Sequence, residues 1–182
     1  MHLIFLGLVG DLCDLFNGTY FKVGKVNEDT ALLSDAQWIT LGEEMARIDA
    51  PESNGRAPRD IHFYSGQFKA EDWSNFLIHY LLPLSYGLVN DATYQALQRL
   101  VLAVSVATSY KISYDEIDEV DRNLRLFSKW FYDMFYGRKY ERLPACKYTI
   151  HCLCHLAEDI RNWGSASYFW QFSQVYPIFI FV

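Results

Sequence analysis

The sequence predicts a mainly α domain of about six helices, and three observations carry that prediction. Apolar residues recur at three- and four-residue spacing in successive stretches, as they do on a helix with one buried face. Two capping boxes, Ser34 with Gln37 and Ser113 with Glu116, mark helix starts, because such pairs exchange side-chain-to-backbone hydrogen bonds across the first turn. Hydrophobic residues make up 51% of the 182, enough to fill one core.

In chain order, His2 to Phe16 is nearly continuously apolar and is stopped by Asn17-Gly18-Thr19, so it reads as a helix buried on most sides. Its opening, "MHLIFLGLVG", is as greasy as a signal peptide. It lacks a basic leading region and a small-x-small cleavage site, however, and Asp11 and Asp14 follow at once. The second helix starts at Ser34 and carries Trp38, Leu41, Met45 and Ile48 on one face until Pro51. Residues 50–67 hold prolines and glycines with little periodicity and read as a connection.

Trp73, Phe76, Leu77, Tyr80, Leu81 and Leu84 trace a third helix, disturbed at Pro83. Leu97, Leu100, Val101 and Val104 trace a fourth, capped by Asn90 or Asp91. The fifth begins at Ser113, and Asp115, Asp118, Glu119 and Asp121 crowd its dipole-positive end. Ile117, Val120, Leu124, Phe127 and Phe131 form its core stripe. "YGRKYERLPA" breaks the pattern, and Ile150, Leu153, Leu156 and Ile160 resume it in a sixth helix that ends at Gly164. "SYFWQF" after it reads as a core strand or packing segment.

A net charge of −6 rules out a chain that coats DNA or anionic lipid as a whole, so any nucleic-acid contact is local. Two basic clusters offer it: Arg56 and Arg59, and Arg138, Lys139 and Arg142. The alternative for both is a solvated loop. Cys13, Cys146, Cys152 and Cys154 form no CxxC pair and are too few to staple a chain of this size, which fits a reducing compartment. No stretch approaches the roughly 20 apolar residues of a membrane span, so the expectation is a soluble intracellular protein without a membrane partner. No small-molecule substrate is evident.

The densest chemistry lies in "YTIHCLCHLAEDIRNWGSASYFWQF", residues 148–172. His151 and His155 stand four apart, so on a helix they share a face and can reach one metal ion, although the glutamate of an HExxH helix is missing between them. The alternative is a pair of histidines satisfied by hydrogen bonds near the core. Glu158 and Asp159 are hard oxygen ligands suited to magnesium, but such chemistry needs acids converging from several segments. Alone, they read as a solvated helix face with Arg161.

Three blocks in order, "MHLIFLGLVGDLCDLFNGTYF", "GRAPRDIHFYSGQFKAEDWSNFLIHYLLPLSYGLV" and "YTIHCLCHLAEDIRNWGSASYFWQF", resemble the transposases of CACTA (En/Spm-type) DNA transposons, the fungal type especially. The resemblance covers residues 1–173 and makes them a partial transposase-like helical domain, with residues 174–182 as an apolar tail outside the family pattern. It implies the helical insertion and flanking remnants of an RNase H-like DDE core. In that core two aspartates and a glutamate hold two divalent metals, Mg or Mn, that activate an oxygen nucleophile against a DNA phosphodiester.

Carried over residue by residue, His2 matches the histidine of the family's Asp-x-x-His motif, whose aspartate would fall two residues before Met1. The first catalytic aspartate would lie further upstream. Glu158 is one candidate for the third acid; the other is a glutamate that follows the aromatic segment in relatives as "F-x-F-E-R", where this chain reads "QVYPIFIFV". Gln174-Val175-Tyr176 can be encoded as an exon end running into an intron donor, so the tail reads as translated intron or a frame error. The resemblance therefore implies a truncated transposase-derived protein, nuclear, without a cofactor of its own and inactive alone in strand transfer. Its partners would be DNA or a full-length transposase. A domesticated helical interaction module and a non-functional relic are the alternatives.

Overall fold

Helix α1 opens the described chain and is buried over most of its length. The computed structural model describes residues 3–21, 30–51 and 57–169, and all the regular secondary structure in them is helical. α1 runs π-helical over Leu3–Val9 and α-helical over Gly10–Phe16. Phe5, Leu8, Leu12, Leu15 and Phe16 on it are all but sealed from solvent, while Leu6 is exposed. Burial on most sides is what a nearly continuous apolar run requires. Gly7 allows a close neighbour: a Cβ there would stand 3.1 Å from the Thr149 methyl.

α2 (Asp35–Ala46) begins where the capping box placed it. The Gln37 N–H donates to Ser34 Oγ at 3.4 Å, and the Ser34 N–H donates to Gln37 Oε1 at 2.9 Å. The connection expected over 50–67 is partly helical, because Asp60 caps a short α3 (Ile61–Tyr64) and a 3-10 turn, Ser65–Gln67, extends it. α4 is one continuous helix, Ala70–Asn75, π-helical over Phe76–Tyr80 and α-helical again over Leu81–Ser85. Pro83 sits inside it. Proline lacks the N–H that would bond His79, and its ring crowds that carbonyl, so the turn just before it widens while the helix continues.

α5 (Asp91–Ala107) and α6 (Tyr114–Phe131) form an antiparallel hairpin with the largest helix–helix contact in the fold. Asn90 caps α5, accepting from the Thr93 N–H at 2.9 Å, and the Ser113–Glu116 box caps α6. Leu97, Leu100, Val104 and Ala107 meet the stripe of Ile117, Val120, Leu124, Phe127 and Phe131, every one of them buried. Fully burying a side chain of this size contributes about 1.5–3 kcal/mol. A π-helical turn, Tyr132–Tyr136, ends α6 and closes at Gly137 and Arg138, both at positive φ. A 3-10 segment, Tyr140–Ala145, follows.

The sixth expected helix is two: α7 (Tyr148–Leu153) and α8 (Leu156–Trp163), joined by a tight turn at Cys154 and His155. Ile150, Leu153, Leu156 and Ile160 are all buried, so the apolar stripe is right although the backbone bends within it. Gly164, at φ +85°, ends α8. The start of "SYFWQF", expected as a core strand or packing segment, lies in a short helix, α9 (Ala166–Phe169), and the rest of it lies outside the described residues. Among the described residues the extra short helices and the split bring the count to about ten helices against the six expected. Among the described residues no helix is long and apolar enough to cross a membrane.

Candidate functional site

The best-formed cluster of ionisable groups surrounds the end of α1. Asp11 and Asp14, three residues apart, share one face of that helix. The chain then turns back, with the Thr19 and Tyr20 N–H groups donating to the Asp14 carbonyl at 2.8 and 3.1 Å. This places Tyr20 against the 3-10 segment, where its hydroxyl donates to the Pro144 carbonyl at 2.8 Å. Lys147, just before α7, reaches across to Asp11 with Nζ 2.6 Å from Oδ1, and lies 5.0 Å from the centre of the Tyr20 ring. Together with Phe21, Glu141 and Pro144 these residues line a cleft of about 560 Å³.

Burial governs the electrostatics there. It raises the Asp11 carboxyl above its ordinary value of 3.8, and the hydrogen bond and charge of Lys147 pull back against it. Asp14 is raised by burial first and by the Asp11 charge second, with the Thr19 hydroxyl and Lys147 opposing. For Lys147 burial works against the ammonium, but Asp11 and Tyr20 outweigh it and hold the pKa above that of a free lysine. Asp11, Asp14 and Glu141 thus line one cleft with an ammonium already paired to Asp11. The cleft can take a cationic group. Sequence reading used Asp11 and Asp14 only as charges breaking a greasy run; acids at i and i+3 on a helix otherwise buried were the available signal.

The residues singled out in the sequence lie elsewhere. Glu158, in the first turn of α8, is exposed, with its Oε2 4.0 Å from His155 Nδ1. His151 and His155 do meet, Nε2 to Nε2, at 3.2 Å, but on the surface and bonded to each other instead of near the core. Cys154 turns to α6, its Sγ 3.8 Å from Ser128 Oγ. Among the described residues, no three His, Cys, Asp or Glu side chains are grouped to hold a metal ion. Arg59 ties α3 to α4: its Nη2 lies 3.3 Å from Asp72 Oδ2, and the guanidinium stacks 5.3 Å from the Phe68 ring centre. Arg142 is buried, whereas Arg138 and Lys139 are exposed. His2 and Arg56 lie outside the described residues.

No protein-family model, curated protein or solved structure matches the chain.

Proposed function

We propose that this chain is the helical part of a CACTA-type transposase-derived protein, whose parent activity is metal-dependent phosphodiester strand transfer, and that it acts by association instead of catalysis. One observation carries the reading. The three blocks that bear the resemblance are far apart in sequence, yet the second and third each pack against α1 of the first. A Cβ built on Gly10 would stand 3.8 Å from the Trp73 ring of the second block, and one on Gly7 3.1 Å from the Thr149 methyl of the third. Lys147, at the edge of the third, pairs with Asp11 of the first. Segments inherited together from one ancestral domain are expected to stay mutually packed, because each buries the apolar face of the others.

The wholly helical character of the described residues supports the insertion region of such an enzyme as the source. In this reading the chain works in the nucleus, with a full-length transposase as its partner. Among the described residues of the two basic clusters, Arg138 and Lys139 are then the ones available to DNA phosphates, since Arg59 is paired with Asp72 and Arg142 is buried. Glu158 alone does not hold two ions at a phosphate. The test is incubation of purified chain with plasmid and Mn²⁺, beside co-purification with a co-expressed full-length CACTA-type transposase. Retention of the transposase without nicking supports the reading. Nicking abolished by Glu158→Gln refutes its inactive half, and failure to retain the transposase refutes its associative half.

A second reading, a domesticated interaction module, is favoured by one surface. Ser165 and Ser167 fasten the α8–α9 turn to the backbone of Ser109, and Tyr168 donates to the Tyr110 carbonyl at 3.1 Å. That end of the molecule displays Tyr110, Tyr168 and Trp163, each at least 66% exposed. Tyr and Trp supply contact area at low entropic cost, as in interface hot spots, and Tyr168 is fixed by its backbone bond. Retention of a partner lost on Trp163→Ala, with Mn²⁺-independent behaviour throughout, distinguishes it.

A further inference from the structure

We propose that His151 and His155 form a two-histidine binding site for a first-row transition-metal ion such as Zn²⁺. The geometry is set by the backbone. The Cys154 N–H donates to the His151 carbonyl at 3.0 Å and the His155 N–H to the Cys152 carbonyl at 3.1 Å, so the chain tightens between α7 and α8. This turn stacks the two imidazoles edge to face, centres 4.8 Å apart and planes at 72°. Their Nε2 atoms stand 3.2 Å apart.

Two nitrogens each about 2.0–2.1 Å from one zinc, at a tetrahedral angle, are about 3.3–3.4 Å apart. The observed separation therefore falls within a few tenths of an ångström of a chelating pair. Glu158 Oε2 lies 4.0 Å from Nδ1 of His155, the ring nitrogen facing away from His151. That is beyond hydrogen-bond reach, so the carboxylate contributes only its negative charge beside a bound cation. Both rings carry their protons on Nδ1 when the ion enters, which frees the two Nε2 lone pairs to ligate. Both rings are exposed, so an ion arrives without unfolding anything. Two histidines leave the remaining positions of the ion to water or to a donor from another molecule, as in zinc sites that bind a further ligand. Imidazole donors favour zinc, copper and nickel over magnesium and calcium, which separates this site from any carboxylate-held Mg²⁺.

The test is calorimetric titration of the full chain with ZnCl₂ in a non-chelating buffer, set beside His151→Gln, His155→Gln, the double variant and Glu158→Gln. One zinc per chain is expected to disappear in the double variant. Each single histidine change should weaken it at least tenfold, and Glu158→Gln should weaken it by less. Cu²⁺ electron paramagnetic resonance supplies a second readout: the wild-type spectrum minus that of the double variant should carry coupling to two equivalent nitrogens. Zinc bound with unchanged stoichiometry and affinity by the double variant, or a difference spectrum showing a single nitrogen, overturns the proposal, as does no zinc binding at all. His2, His62 and His79 are intact in every variant, so adventitious binding at them cancels.

Discussion

Replacing Gly42 with alanine should destabilise the protein, although alanine is the better helix former. Gly42 lies buried in α2, and a Cβ there would stand 2.2 Å from Asp60 Oδ1 and 3.0 Å from His62 Cβ. That oxygen is not free to move aside, because it accepts from the His62 N–H at 2.8 Å and the Phe63 N–H at 3.3 Å and so caps α3. Alanine in a helix interior gains about 1 kcal/mol over glycine. Against it stand about 1 kcal/mol for a displaced cap and about 1–3 kcal/mol for inserting a methyl where there is no room. The net is a loss of about 1–3 kcal/mol, or roughly 2–12 °C in Tm for a chain of this length. Urea unfolding followed by circular dichroism measures it. Asp60→Ala provides the cycle: with the oxygen gone and the cap already lost, Gly42→Ala should cost at least about 1 kcal/mol less than in the wild type. A stabilised Gly42→Ala protein, or strictly additive effects, would refute the contact argument.

Two further predictions follow from the charged residues. Because burial raises the Asp14 pKa in the fold, the folded form holds that proton more tightly than the unfolded chain does. Its contribution to stability is therefore present below the unfolded value near 3.8 and is lost as pH rises through the raised folded value. Asp14→Asn, which keeps an oxygen for Thr19, should be more stable than wild type at pH 7 and approach it near pH 3–4 in urea titrations; a gap that widens on acidification contradicts the burial argument. If the chain binds duplex DNA, Arg138→Ala with Lys139→Ala should flatten the log-affinity against log-salt slope by about 1.8, at about 0.9 per lost phosphate contact. Arg59→Ala should leave that slope unchanged while lowering Tm, since its guanidinium is spent on Asp72 and Phe68.

Where a helix starts was legible because a cap is a local transaction. Ser34, Asn90 and Ser113 each bond a backbone N–H three residues on, and the residues that do so can be read directly. The buried faces of α5 and α6 were legible for the same reason, since spacing alone puts Leu97, Leu100 and Val104 on one side. Continuity was not. The stripe from Ile150 to Ile160 is compatible with one helix or two, because a tight turn at Cys154–His155 preserves which side chains face inward. The helical cap at Asp60 was missed because it lies among prolines and glycines that otherwise mark a loop.

The sequence by itself determined the helical class, the caps and the inward-facing residues, all of which depend on interactions within four positions along the chain. Only the tertiary structure decided which charges matter. Asp11 becomes a partner of Lys147 across 136 positions of chain, and Arg59 becomes a strut under Phe68 instead of a hand for phosphate. A charged side chain is neutral information until its surroundings are known, because desolvation and a partner a few ångströms away outweigh anything its neighbours in sequence contribute.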